Sequence, residues 1–425
     1  VRLLIKGGAP LKGLYPASGN SNEAIVLMAA SLLTAQPCHL HNVPPTQAVQ
    51  WMGELAEELG SSITRDGDHL TLNTALLAPR PIKNDFASRP VASLLLLAPL
   101  LAQRGHAALE WPDSLGRLHT HLTALRDLGV KVDQQGHTLS FSAQAWKQQS
   151  IVLAETSVTA TALICMIAAV LGEETTLYNA ASEPHLRALQ HFLVSMGARI
   201  EGIGSNLLTI HGQPDGLAGA TQTLQPSYIE IASIAAMSAI TEGHVTIEGV
   251  PRHDLRIIQK VYERLGLNLI FEESRLHVPE EQSLVISRRD EDVDVAIDSA
   301  PWPGFPSDLI PMATVLATQA NGTTLIHEKL FNNRLLFVDK LKAMGAQIVL
   351  ADPHRAVVIG PTPLHAEYVD TPDVRIGLAL LAAALCAQGQ TTIDRAEVIG
   401  RNFEGVIPKL MALGAQITIQ EAATS

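Results

Sequence analysis

Leu193-Val194-Ser195-Met196-Gly197-Ala198-Arg199-Ile200-Glu201 reads as the apolar end of a helix, a glycine that stops it, and the start of an alternating strand. Glycine suits the position just past a helix end because the backbone there takes the left-handed region, which a Cβ disfavours. The same phrase returns at Leu59-Gly60, Leu128-Gly129, Leu265-Gly266, Met344-Gly345 and Leu413-Gly414. Successive glycines of this set are 69, 68, 69, 79 and 69 residues apart. A period near 70 is too long for a solenoid repeat and fits a compact α/β unit. The chain is therefore one unit repeated six times.

Working outward from Gly197, the unit opens at Ser157-Val158-Thr159-Ala160-Thr161, a helix-capping signal ahead of the apolar run Ala162 to Leu171. Thr175 to Asn179 has β character, and Glu183-Pro184 starts a second helix that ends at Met196-Gly197. Two strands follow, Ala198 to Ile203 and Leu207 to His211, split by the turn Gly204-Ser205-Asn206. The order helix, strand, helix, strand, strand recurs, for example with the first strands Thr323 to His327 and Thr391 to Arg395. The first helices are apolar on every side in Ile231 to Ile240 and Leu378 to Leu385, which predicts helices buried inside a domain with sheets around them.

At 425 residues, 47% hydrophobic and 4% aromatic, the chain is too large for one aliphatic core, so three units per domain is the natural division. The predicted domains are 20–225, and 1–19 with 226–425. The long interval contains Glu280 to Pro306, with the charge run Arg288 to Asp292, which reads as an exposed, solvated excursion. A net charge of −12 disfavours broad binding to nucleic acid or anionic membranes. No uninterrupted apolar stretch reaches about 20 residues and no signal-peptide pattern opens the chain, so a cytoplasmic protein is expected. Cys38, Cys165 and Cys386 form no C-x-x-C pair, and Cys165 and Cys386 fall within apolar helices as inert core residues. The 16 histidines are scattered; His119 and His121 fall on different faces of a helix start, and neither a metal nor another cofactor is expected.

Six such units, three per domain, resemble the enolpyruvyl transferases. The local wording is closer to the branch that uses UDP-N-acetylglucosamine, the MurA branch, than to the shikimate branch. The stretches that carry the resemblance are Ser18 to Ala24, Ser157 to Thr161 with Asn179-Ala180-Ala181, and above all Ala300-Pro301-Trp302-Pro303-Gly304-Phe305-Pro306-Ser307-Asp308, with Asn333-Arg334 and Asp373-Val374-Arg375. The resemblance implies two inside-out α/β barrels facing each other across a cleft, a fold that functions as a monomer. It also implies small-molecule substrates, phosphoenolpyruvate and a hydroxyl acceptor.

That chemistry has fixed demands. Phosphoenolpyruvate carries a phosphate and a carboxylate, so its pocket needs cations or helix N-termini. The acceptor hydroxyl must lose a proton as it attacks C2 while C3 gains one, so a base and an acid are required. The resemblance makes Asp308 the group that takes the acceptor proton, the bare alternative being an ordinary helix N-cap. It makes Arg117, Arg334, Arg375 and Arg401 the residues that hold phosphate and carboxylate. Asn22 resembles the family asparagine near the reacting hydroxyl. Ser157 and Glu230 are acceptor contacts or else capping and interior polar residues. Asp113, in the shortened loop Trp111 to Arg117, stands about where most of the branch has the cysteine that serves as acid.

Other positions depart from the family. Ser21 stands where a lysine contacts phosphoenolpyruvate, Gln47 and Glu155 stand where lysines are expected, and Tyr228 replaces an arginine. Losing a charge-assisted phosphate contact costs about 1.5–3 kcal/mol each, and glutamate beside a diphosphate adds repulsion. The expected function is enolpyruvyl transfer, or a related addition and elimination, onto an acceptor other than a standard UDP-sugar. The alternatives are the UDP-N-acetylglucosamine reaction itself and a catalytically silent relative that binds a metabolite or partner.

Overall fold

The computed structural model describes residues 1–83, 90–111, 115–286 and 296–421, with only the backbone of Pro90, Val91, Ala92 and Arg117. The third repeat is built as helix Val158–Leu171, strand Gly172–Tyr178, helix Pro184–Ser195, and the hairpin Arg199–Glu201 with Leu207–His211. Ser157 is the N-cap, its Oγ accepting from the Ala160 amide at 3.4 Å, and Pro184 occupies the first turn of the second helix. The six glycines that end the second helices have φ of 98° at Gly60, 88° at Gly129, 113° at Gly197, 80° at Gly266, 102° at Gly345 and 104° at Gly414. Any other residue would be strained there.

Each repeat makes its own sheet. In the third, the hydrogen-bonded order is Arg199–Glu201, Leu207–His211, Gly172–Tyr178, Trp146–Val152. The first three strands are antiparallel; the fourth, from the segment before the repeat, runs parallel to the first strand of the repeat. Lys12–Pro16, Thr221–Thr223, Ala296–Asp298 and Tyr368–Asp370 play the same part in other sheets. In the three-stranded sheet the counterpart is a single parallel bridge from Ile82 to Leu109. These fourth strands were not legible in the repeat, because most are only three residues long and pair with residues remote in sequence. Ala296–Asp298 also corrects the reading of Glu280 to Pro306 as an exposed excursion. Ile297, Ser299 and Phe305 are buried, while Arg288 to Asp292 lie outside the described residues.

The chain gathers into two compact units, Gly19–Gln225, and Val1–Ser18 with Pro226–Ser425. In the second of these, helices Tyr228–Ile240, Ile310–Gln319 and Val374–Cys386 pack on one another at the centre. All thirteen residues of Tyr228–Ile240 are buried, and each buried Ile or Met stabilises the unit by about 1.5–3 kcal/mol. In Gly19–Gln225 the helix Leu97–Arg104 touches both Ser21–Ser31 and Val158–Leu171. Helices lie inside and sheets outside, the inside-out α/β arrangement. Cys165 is fully buried and Cys386 half-buried at its helix end, and burial pushes both thiols up to about 12, so both are unreactive at neutral pH. Among the described residues no helix is long and apolar enough to cross a membrane.

Candidate functional site

Asp308 does not cap its helix. It sits in the 3₁₀ turn Ser307–Leu309, and the helix Ile310–Gln319 begins after Leu309 with no side-chain cap. From this turn the carboxylate meets two arginines. Arg375 Nε donates to Asp308 Oδ1 at 2.5 Å, and Arg334 Nη1 donates to the same oxygen at 3.4 Å. Arg375 is placed by helix capping: Asp373 accepts from the Arg375 and Ile376 amides at 2.8 and 3.0 Å and fixes the first turn of Val374–Cys386. Arg334 opens the 3₁₀ helix Arg334–Phe337 after Asn333, which holds φ of 63°. Its guanidinium lies 4.1 Å from the Phe331 ring centroid, and it donates to Ser307 Oγ.

Side-chain exposures of 13% for Arg334, 25% for Asp308 and 31% for Arg375 describe a half-buried cluster still open to a small ligand. The charge of Asp308 is the main cause that raises Arg375 above the usual guanidinium range, whereas burial lowers Arg334 and Asp308 offsets part of that. Arg334, Phe331, Asp373 and Ile376 also line a pocket of about 460 Å³. Arg401 ends the 3₁₀ helix Ala396–Arg401, which packs against the helix that carries Arg375. The Tyr228 ring, where an arginine was expected, is buried and tilted against Trp302 at 5.5 Å between centroids.

Glu230 is an interior group. It is 1% exposed, in the first turn of Tyr228–Ile240, and its Oε1 accepts from Tyr15 OH at 2.7 Å, the Ser18 amide at 3.5 Å and Lys409 Nζ at 3.5 Å. Burial raises its pKa, and the Lys409 charge and the Tyr15 hydrogen bond pull it part of the way back. The sequence alone gives no sign of Tyr15 or Lys409 here, since both come from remote parts of the chain.

In Gly19–Gln225, Asn22 is half-buried in the first turn of Ser21–Ser31, a helix capped by Asn20, which accepts from the Asn22 and Glu23 amides. Ser21 is buried, with its hydroxyl 3.0 Å from that of Thr46, and the exposed Gln47 follows. Ser157 caps Val158–Leu171. Two residues before it, the exposed Glu155 accepts from Thr120 Oγ1 at 2.7 Å. His121 Nε2 lies 2.6 Å from Thr159 Oγ1, and burial lowers its pKa to about 4 despite the nearby Glu155 charge. At neutral pH this imidazole is uncharged. Asp113 lies outside the described residues, and Arg117 is placed only by its backbone in the 3₁₀ helix Leu115–Leu118. Among the described residues no group of three or more His, Cys, Asp or Glu could hold a metal ion.

Sequence reasoning did not find Ser307 and Glu328 as parts of the cluster, nor Thr120, His121 and Thr159 beside Glu155. A lone polar residue at the end of a strand or in a helix has no periodic signature, so only the folded geometry reveals these partners.

A family model described as EPSP synthase (3-phosphoshikimate 1-carboxyvinyltransferase) matches residues 5–410. A UDP-N-acetylglucosamine 1-carboxyvinyltransferase of Treponema denticola is 40% identical over 423 residues, covering 98% of this chain and 99% of that protein. One from Bradyrhizobium diazoefficiens is 40% identical over 422 residues, covering 98% and 97%. In fold, the enolpyruvyl transferase NikO from Streptomyces tendae superposes with a TM-score of 0.86 at 23% identity, covering 98% of each chain. EPSP synthase from Acinetobacter baumannii gives 0.75 at 17% identity, covering 99% of this chain and 100% of that one. By these matches over nearly its whole length, the chain belongs to the EPSP synthase family of enolpyruvyl transferases.

Proposed function

We propose that the chain transfers the enolpyruvyl group of phosphoenolpyruvate, or performs a related addition and elimination, on a hydroxyl acceptor that lacks the diphosphate of a UDP-sugar. Asp308 takes the acceptor proton. Arg334 and Arg375 stabilise the anionic substrate and the charge that develops as phosphate departs, with Arg401 and Arg117 as further anion contacts. The pairing of one half-buried carboxylate with two guanidiniums supports this: Asp308 accepts from both, while each guanidinium keeps further N–H donors for a ligand. Asn22 and Ser157 serve the acceptor, and Asp113 supplies the acid. Glu230 supports the frame, as its burial suggests.

The observation that carries the acceptor class is Glu155. The resemblance implies a lysine at that position, and Glu155 instead places a carboxylate next to the neutral His121, ahead of the Val158–Leu171 helix. A diphosphate beside a carboxylate is repelled, whereas a neutral or cationic group is not. The full-length 40% identity to proteins named UDP-N-acetylglucosamine 1-carboxyvinyltransferase favours a second reading, that reaction itself.

The test is phosphate release from phosphoenolpyruvate with nucleosides, nucleoside monophosphates, simple sugars and UDP-N-acetylglucosamine. Turnover is expected with an acceptor that has no diphosphate, and Asp308→Ala should abolish it. Glu155→Lys should raise kcat/KM for UDP-N-acetylglucosamine by about 10–100-fold, the reach of one charge-assisted contact. Efficient use of UDP-N-acetylglucosamine by the parent chain would establish the second reading. Absence of phosphate release with every acceptor would mark a silent relative.

A further inference from the structure

The strongest unassigned feature beside the cluster is Glu328, a fully buried acidic residue just after the strand Gly322–His327. Its Oε1 accepts from Ser299 Oγ at 2.8 Å and from the amides of Leu330 and Phe331 at 2.8 and 3.2 Å. Its Oε2 accepts from Ser307 Oγ. Ser299 Oγ in turn accepts from the Lys329 amide at 2.8 Å, and the Glu328 carbonyl accepts from His354 Nδ1 at 2.8 Å. One carboxylate therefore ties three segments together: the loop after Ala296–Asp298, the turn that carries Asp308, and the loop that leads to Arg334.

A hydroxyl has one proton to give. Ser307 gives it to Glu328, so only lone pairs remain to face Arg334, whose Nη1 donates to that same oxygen. Arg334 Nη1 also reaches Asp308 Oδ1. We propose that Glu328 is a positioning residue: by fixing the direction of the Ser307 hydroxyl it holds the Arg334 guanidinium against Asp308. Glu328 acts through Ser307. Arg375 reaches Asp308 without Ser307 and is outside this relay.

Glutamine at 328 keeps the shape but replaces one acceptor oxygen with an NH₂ donor, which cannot accept from Ser307 while its oxygen serves Ser299 and the two amides. The relay rests on the assignment of Asp308 and Arg334 to enolpyruvyl transfer, so the experiment has two arms. In the first, Glu328→Gln and Ser307→Ala are each expected to lower kcat/KM for phosphoenolpyruvate by about 10–100-fold, and the double variant to fall no more than about threefold below the worse single variant. Losses that multiply, or a Glu328→Gln protein with parental rates, overturn the proposal. In the second arm, arginine-selective ¹⁵N NMR of the full chain follows the guanidinium signals, with Arg334 assigned by its loss in Arg334→Lys. Glu328→Gln should average the Arg334 Nη signals that are distinct in the parent and leave Arg375 Nε unchanged. Loss of both signals together, or of neither, overturns it. Should Glu328→Gln fail to fold, Ser307→Ala alone must free Arg334, and an unaltered Arg334 signal there refutes the relay. If the parent shows no turnover, the functional reading fails while the NMR arm still decides the relay.

Discussion

His121 must shed its charge to occupy its place. It is 7% exposed, and burial holds its pKa near 4, below the 6.5 of an unfolded histidine. Since the folded form binds the proton less well, stability is intact above about pH 6.5 and is lost as pH falls toward 4. The loss at pH 4.5 comes to about 2–3 kcal/mol. Glutamine can still donate to Thr159 and does not titrate. His121→Gln should therefore bring the urea midpoints at pH 7 and pH 4.5 closer together than they are in the parent, and equal spacing in both proteins would refute the assignment. The same residue scale shows what a sequence can carry. The Asp308 motif was legible only through the family resemblance of Ala300 to Asp308, since the local residues alone read as an ordinary helix start. The burial of Glu230 was not, because its main partner Tyr15 lies 215 residues away. Glu328 gave no sign for the same reason: its donors Ser299 and Ser307 are 29 and 21 residues earlier.

Where two elements meet closely, one hydrogen atom decides the fit. Gly377 lies inside the helix Val374–Cys386, and a Cβ there would stand 2.4 Å from Thr371 Cγ2 and 2.9 Å from Ile399 Cγ1. Propensity alone favours Gly→Ala in a helix by about 1 kcal/mol. Overpacking costs about 1–3 kcal/mol, and it presses on Thr371 and on Ile399 of the 3₁₀ helix Ala396–Arg401, which packs against the helix that carries Arg375. Gly377→Ala is expected to destabilise the protein in urea and to weaken phosphoenolpyruvate binding several-fold by calorimetry. A net gain in stability would show that the contact yields freely. Helix ends were readable because glycine has a backbone preference of its own. The short parallel strands Thr221–Thr223 and Tyr368–Asp370 were not, because three residues carry no period and their partners are chosen by the sheet. Asp308 was placed at the head of the apolar helix, and the intervening 3₁₀ turn shifts that role away from it.

Among the described residues six repeats make six sheets, and the last repeat shows no final strand of its own. Arg2–Lys6 fills the gap, lying antiparallel between Gln390–Asp394 and Gln416–Gln420. Leu3 and Ile5 enter the core at 2% and 0% exposure, worth about 1.5–3 kcal/mol each. The period of 69 in the sequence gave no hint of this closure, because the missing strand sits at the opposite end of the chain. It sets the minimal folding units. Gly19–Gln225 is continuous and holds its own core, so expressed alone it should unfold cooperatively in urea. Residues 226–425 alone should not, since their sheet would lose a central strand and expose two edges. The Ser227 amide donates to the Ser18 carbonyl at 2.8 Å, so the chain leaves and re-enters this unit at one point. A linker of about three glycine or serine residues joining Ser18 to Pro226 can close so short a gap at little entropic cost. That joined protein should recover a cooperative transition by circular dichroism. Cooperative folding of 226–425 without the first eighteen residues would mean that Arg2–Lys6 decorates the sheet, and that the sixth repeat is complete without it.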